Sequence, residues 1–142
     1  MNLTESQRTF LETHPTAAMI TNGRDGTPKV ARVGVALVDG KLWSSGTQDR
    51  VRTPRLRRDP RCTLFVFDPG WSWLALETTV RILEGPDVPE LSVRMFRQMQ
   101  KRPAGDLSWF GKELSTEEFV KVMVEERRLI YEFDIKRGYG MV

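Results

Sequence analysis

The strongest constraint on this chain is a succession of short apolar stretches joined by tight turns, with no helix-length segment between most of them. Ala17-Ala-Met-Ile-Thr21 runs into Asn22-Gly-Arg-Asp-Gly26, whose residues tolerate positive φ and suit a hairpin turn. Thr27–Val38 reads as the second strand, Asp39-Gly40 as a two-residue type I′ turn, and Lys41–Ser45 as the third strand. Cys62–Phe67 and Ser72–Ile82 form another hairpin around Asp68-Pro-Gly-Trp71, and Arg128–Ile135 is the last strand. A parallel pair needs a crossover of a dozen or more residues, so parallel α/β folds are disfavoured. The expected fold is mainly β with flanking helices (α+β): about six antiparallel strands in a sheet curled into a barrel.

Three capping boxes mark the helices. Thr4-Glu-Ser-Gln7 opens one that runs to about Thr13, and Asp87-Val-Pro-Glu90 one that runs to about Lys101. Leu91, Met95, Phe96 and Met99 share a face of the second and read as core. Ser115-Thr-Glu-Glu118 opens the third, with Phe119, Val122 and Met123 on one face. Arg102–Gly111 reads as the longest irregular stretch and Lys136–Val142 as a tail. With no repeat or linker, residues 1–142 are expected to form a single domain. Leu64-Phe-Val-Phe67 and Val33-Gly-Val-Ala-Leu37 carry apolar residues on both parities. A barrel buries one face, so the other must meet helices or a second subunit, and a homodimer packed sheet against sheet is expected.

Charge is concentrated in one segment. The chain is formally +3, yet Asp49–Arg61, with six arginines and two acids, is +4 by itself. Leu42-Trp-Ser-Ser-Gly-Thr47 runs into it as a strand and a small-residue turn. Thr53-Pro54 reads as a helix start, with Thr as N-cap and Pro at the first helical position, and Asp59-Pro60 ends the helix. Strand, turn, Arg50, Arg52 and a helix N-terminus together suit a phosphate, because free N–H groups and bidentate guanidinium groups favour an anion. Arg57, Arg58 and Arg61 lie further along and are expected to be solvated or paired.

Other chemistries find little support. With one Cys and one His, no set of three or four ligands is spaced for a metal, and none is expected. Cys62 sits in a strand and reads as inert, and His14, before Pro15, as structural. An enzyme with so few acid–base groups would rely on a bound cofactor. The chain lacks a lysine-rich stripe or RNA-binding signature, so no nucleic-acid partner is expected despite a pI near 9.3. No apolar run approaches the ~20 residues of a membrane span and no signal-peptide core opens the chain, so no membrane partner is expected and a cytoplasmic location is.

The order of these pieces resembles the pyridoxamine-phosphate-oxidase-like split β-barrel family, in particular its actinobacterial branch that uses the deazaflavin F420. Asp25-Gly-Thr-Pro-Lys-Val30 and Asp39-Gly-Lys-Leu-Trp43 match its first two hairpins. Arg50-Val-Arg-Thr-Pro-Arg-Leu-Arg-Arg-Asp-Pro-Arg61 is similar to its R-x-K-x-x-N-L-R-R-D-P-R stretch, with arginine at 52 in place of lysine and at 55 in place of asparagine. Gly70-Trp-Ser-Trp73, Met123–Ile130 and Gly138-Tyr-Gly140 also fit.

The resemblance implies a six-stranded, homodimeric split barrel with a cofactor in a groove between subunits. Its phosphate would meet Ser45, Gly46 and Thr47 and the loop Arg50-Val51-Arg52. Val30, Arg32 and Val33 would pass beneath the ring system, and Trp73 would reach in from the partner. Val30 and Val33 are equally placed for barrel or dimer packing, whereas Arg32, among small and apolar residues, needs a partner or an opening to solvent. The implied activity is hydride transfer between reduced F420 and an unsaturated organic substrate, with no side chain nominated as acid or base. FMN in place of F420, and a non-catalytic carrier of F420, flavin or a haem-like ligand, stand as alternatives.

Overall fold

A computed structural model describes residues 2–142, and within them nine strands and four helices. Seven strands form one antiparallel sheet, β1 (Thr16–Asn22), β2 (Pro28–Gly34), β3 (Ala36–Val38), β4 (Lys41–Thr47), β5 (Arg61–Phe67), β6 (Trp73–Leu83) and β9 (Arg128–Met141), in the order β2-β1-β5-β6-β9-β4-β3. β7 (Leu107–Trp109) and β8 (Lys112–Leu114) make a separate hairpin.

Strands β2 and β3 lie at opposite edges of the sheet, yet only Val35 separates them in the chain. The sheet must therefore curl until its edges meet, and the Ser44 hydroxyl closes the seam by donating to the Gly34 carbonyl at 2.7 Å. The result is a curled antiparallel half-barrel of seven main strands, one more than the six expected. The extra strand comes from Thr27–Val38, which breaks at Val35 because its first part pairs with β1 and its last part with β4.

Alternation along the strands explains the core. Met19, Cys62, Leu64, Val66, Leu74, Leu76, Leu129 and Tyr131 point inward and are almost fully buried. Helix α1 (Glu5–Thr13) adds Phe10 and Leu11 to this interior, and its Thr4–Gln7 capping box forms in both directions. His14 ends α1, stacked on Phe10 with Nδ1 3.0 Å from the Phe10 carbonyl, a structural position. Burial pushes the Cys62 thiol up to about 12, as expected of an inert core cysteine.

The outer face divides in two. Over β3, β4 and β9 it is covered by α3 (Val88–Gln100), whose Val88 and Met95 pack on Trp43 and Ile130. Over β2, β1, β5, β6 and the end of β9 it carries Val30, Phe67, Tyr139 and Met141, all exposed. Helix α4 (Thr116–Glu125) keeps the Ser115–Glu118 capping box and packs Phe119 and Met123 on Leu107 of the small hairpin. Among the described residues, no helix is long and apolar enough to cross a membrane.

Three local expectations change. The Asp87–Glu90 capping box does not form: Asp87 takes αR geometry and its side chain makes no cap bond. Arg102–Gly111 is not wholly irregular, because Leu107–Trp109 pairs with Lys112–Leu114 across Phe110-Gly111, both at positive φ. The tail is not free either. It continues β9 to Met141 along β6, with a register shift at Glu77/Thr78 that absorbs one extra residue of β9 and bends the pair.

Candidate functional site: an arginine pocket

Strand β4 leads into the basic segment as expected, but the turn is built differently. Helix α2 runs Arg52–Arg58, starting one residue before Thr53, and has no side-chain cap. Thr53 is buried instead of capping: its hydroxyl lies 2.6 Å from the Thr47 carbonyl and 2.7 Å from the Tyr131 hydroxyl. That inward bond outcompetes the cap because it satisfies two polar groups at the edge of the core. Seven residues make a short dipole, so an anion at this turn would have to be held by side chains rather than by a helix N-terminus.

The first part of the segment opens onto a pocket of about 200 Å³. Of the ten residues expected at a cofactor site, Arg32, Val33, Ser45, Arg50 and Arg52 line it together. They come from β2, β4, the loop that follows it and the first position of α2, and meet because the curled sheet brings β2 against β4. Arg52 Nε is buried with no hydrogen-bond partner, one of two such atoms among the described residues. An unmet guanidinium N–H in a pocket is costly unless a ligand or a water accepts from it.

The other five stand elsewhere. Val30 is exposed on the outer face of β2, and Val51 points away from the pocket, into a groove with Arg24, Lys29 and Arg55. Gly46 is buried under Tyr131, whose ring occupies the place a Cβ would take, so its role is to admit that ring. Thr47 shapes the loop: its Oγ1 accepts from the Arg50 N–H at 3.1 Å. Trp73 lies at the far end of β6, 5.8 Å from the Phe65 ring and 6.1 Å from the Tyr139 ring, in the apolar outer face.

The rest of the lining comes from residues distant in the chain. Phe96 and Met99 descend from α3, Trp109 and Phe110 from the β7–β8 hairpin, and Arg128 from the start of β9. The helical spacing of Phe96 and Met99 was readable, but it signals a buried face of either kind. Arg128 was readable only as part of the closing strand and of the Met123–Ile130 stretch that fits the family, and neither marks it as a pocket residue. Its side chain is only 8% exposed and pairs with Glu126 at 2.6 Å, while the guanidinium lies 4.8 Å over the Trp109 ring.

The later arginines of the segment are all engaged. Arg55 donates to Thr21 Oγ1 at 3.2 Å, Arg57 to Glu84 at 2.8 Å, and Arg58 to the Asn22 carbonyl at 3.0 Å. Arg61 donates to Asp59 at 2.8 Å, which together with the Arg61 backbone N–H and Asn22 holds that carboxyl well below the usual carboxylate range.

The chain thus combines a curled antiparallel half-barrel, consistent with a split barrel, with an arginine-lined pocket at the β4–α2 turn. The model of the pyridoxamine 5'-phosphate oxidase family matches residues 3–131, and the chain belongs to that family. Solved structures agree on the fold. A conserved Mycobacterium tuberculosis protein superposes with a TM-score of 0.74 at 21% identity, over 98% of this chain and 84% of its own. An F420 reductase gives 0.68 at 18% identity, over 96% and 98% of the two chains. A pyridoxinephosphate oxidase family protein of Clostridium acetobutylicum gives 0.67 at 19%, over 95% and 84%.

Proposed function

We propose that this chain is an oxidoreductase that binds the deazaflavin F420 with its phosphate at Arg50 and Arg52 and passes hydride between the reduced cofactor and an unsaturated organic substrate. The observation that carries the reading is the buried, unpartnered Arg52 Nε beside Arg50 in a pocket, since such a donor needs an acceptor and a guanidinium bonds most strongly to an anionic one. Membership of the family supports a flavin-type ligand, and likeness to an F420 reductase supports the deazaflavin.

The residues would divide the work. Arg50 and Arg52 hold the phosphate, Thr47 and the buried Thr53–Tyr131 contact keep their loop in place, and Arg32 guards the side that opens onto the outer face of β2. At about 200 Å³ the pocket is smaller than the ~300–1,000 Å³ of a complete ligand site. The ring of the cofactor would therefore lie along Val30 and Arg32 and need a second surface. The exposed face bearing Val30, Phe67 and Tyr139 supplies one, if a second copy packs against it and brings Trp73 of the partner subunit towards the ring. When bound, the cofactor supplies the hydride; the protein's part is to hold it against the substrate and exclude water.

Titration with F420 and with FMN, followed by the spectrum of each complex, tests the choice. Tight F420 binding that generates turnover with enone substrates is expected. FMN binding with no F420 binding would replace the deazaflavin by the flavin. Cofactor binding without oxidation of its reduced form by any acceptor would make the protein a carrier.

A further inference from the structure

The four arginines of the pocket are not equivalent. Among the described residues no side-chain acceptor engages Arg50 or Arg52, whereas Arg128 is held on one edge by Glu126, whose Oε1 accepts from Nε at 2.9 Å and from Nη2 at 2.6 Å. The Trp109 ring covers one guanidinium face. Its remaining edge, Nη1, is directed at Ser45, another lining residue, and lies 3.5 Å from its Oγ, the weak limit of a hydrogen bond. A guanidinium that is buried, stacked and already neutralised has directed N–H groups to offer but little net charge.

We infer that the pocket has two ends of different chemistry: Arg50 and Arg52 take the anion, while Arg128 donates from Nη1 to an uncharged oxygen of the same ligand, a hydroxyl or a carbonyl. Arg128 is thus a specificity-determining residue of the site, and Glu126 is the positioning residue that sets its charge. The hairpin serves the same end. Trp109 is fixed by edge-on contacts with Phe96 and Phe119, at 5.3 and 5.5 Å, and so fixes the guanidinium plane. Phe110, exposed at a positive-φ turn beside the pocket, offers an apolar wall to the ring-bearing part of the ligand.

This assignment rests on the phosphate-bearing, ring-containing ligand proposed above, and the test separates the two. Three probes are titrated: inorganic phosphate, the whole cofactor (F420 or FMN), and its phosphate-free ring fragment (deazariboflavin or riboflavin). Arg128→Ala is expected to weaken fragment and whole cofactor alike, by about tenfold, and to leave phosphate within about twofold. Glu126→Gln, at a partly exposed position, frees the charge of Arg128 and is expected to tighten phosphate by about threefold or more. A gain of affinity cannot come from misfolding. The inference is overturned if Arg128→Ala weakens phosphate as much as Arg52→Ala does, or if Glu126→Gln leaves phosphate binding unchanged. If phosphate binds but no ring-bearing probe does, the cofactor reading falls and the uncharged-acceptor role falls with it, while the Glu126→Gln result still decides whether the pair masks a charge.

Discussion

The two parts of the arginine segment are both basic and stand in opposite situations. In Arg50–Arg52 the guanidinium groups face a pocket and one buried N–H is unmet; from Arg55 to Arg61 every arginine has a protein acceptor. The difference comes from what surrounds each half. The first half ends β4 where the curled sheet brings β2 across it, and no acid of the lining is there to answer it. The second half lies over the β1–β2 hairpin, Glu84 and Asp59, where carbonyls and carboxylates are within reach. Charge density alone therefore does not separate the two parts; whether the charge is met within the protein does.

Binding offers the largest test of that contrast. Arg52→Ala is expected to weaken phosphate and phosphate-bearing ligands by about a hundredfold, close to the ~3 kcal/mol of a charge-assisted bond, whereas Arg57→Ala leaves affinity unchanged. Equal losses in a titration of the two variants would erase the distinction between the halves.

A smaller effect probes the hinge between them. Thr53→Val keeps the shape but strands the Tyr131 hydroxyl, which is fully buried, and the Thr47 carbonyl. Chemical denaturation is expected to show a loss of ~1–3 kcal/mol, and the shifted loop a weaker phosphate site. Unchanged stability would mean that the segment is not tied to the core at this point.

The smallest effect is a pH dependence confined to the second half. The carboxyl of Asp59 is held below its ordinary value by Arg61, so the ionised form is favoured in the folded chain. Its contribution is fully present above the ordinary carboxylate pKa of about 4 and is lost as pH falls through the lower folded value. Thermal melts of the wild type should therefore decline more steeply at acidic pH than those of Asp59→Asn. Parallel declines would dissociate Asp59 from acid sensitivity.

How much of this could be read in advance follows the range of the forces. The Thr4 and Ser115 capping boxes and the Asp39-Gly40 turn are contacts within a few residues, and they form as read. Asp87-Val-Pro-Glu90 carries the same signature and does not form, because the backbone of Asp87 adopts αR rather than extended geometry. Thr53 was a sound N-cap by local rules, but a Tyr 78 positions away offered its hydroxyl a better partner. Half of the expected site residues line the pocket and half shape the framework or the outer face.

Alternation, turn chemistry and the absence of crossovers in the amino-acid sequence determined the antiparallel barrel, its helices and the place where positive charge collects. These depend on neighbours along the chain. Tertiary structure alone decided which arginines stay unmet, that Trp109 and Arg128 close the pocket, and that the second strand splits at Val35 to join the sheet's two edges. Those outcomes depend on which distant groups the curvature of the sheet brings within hydrogen-bond reach, and no local pattern encodes that.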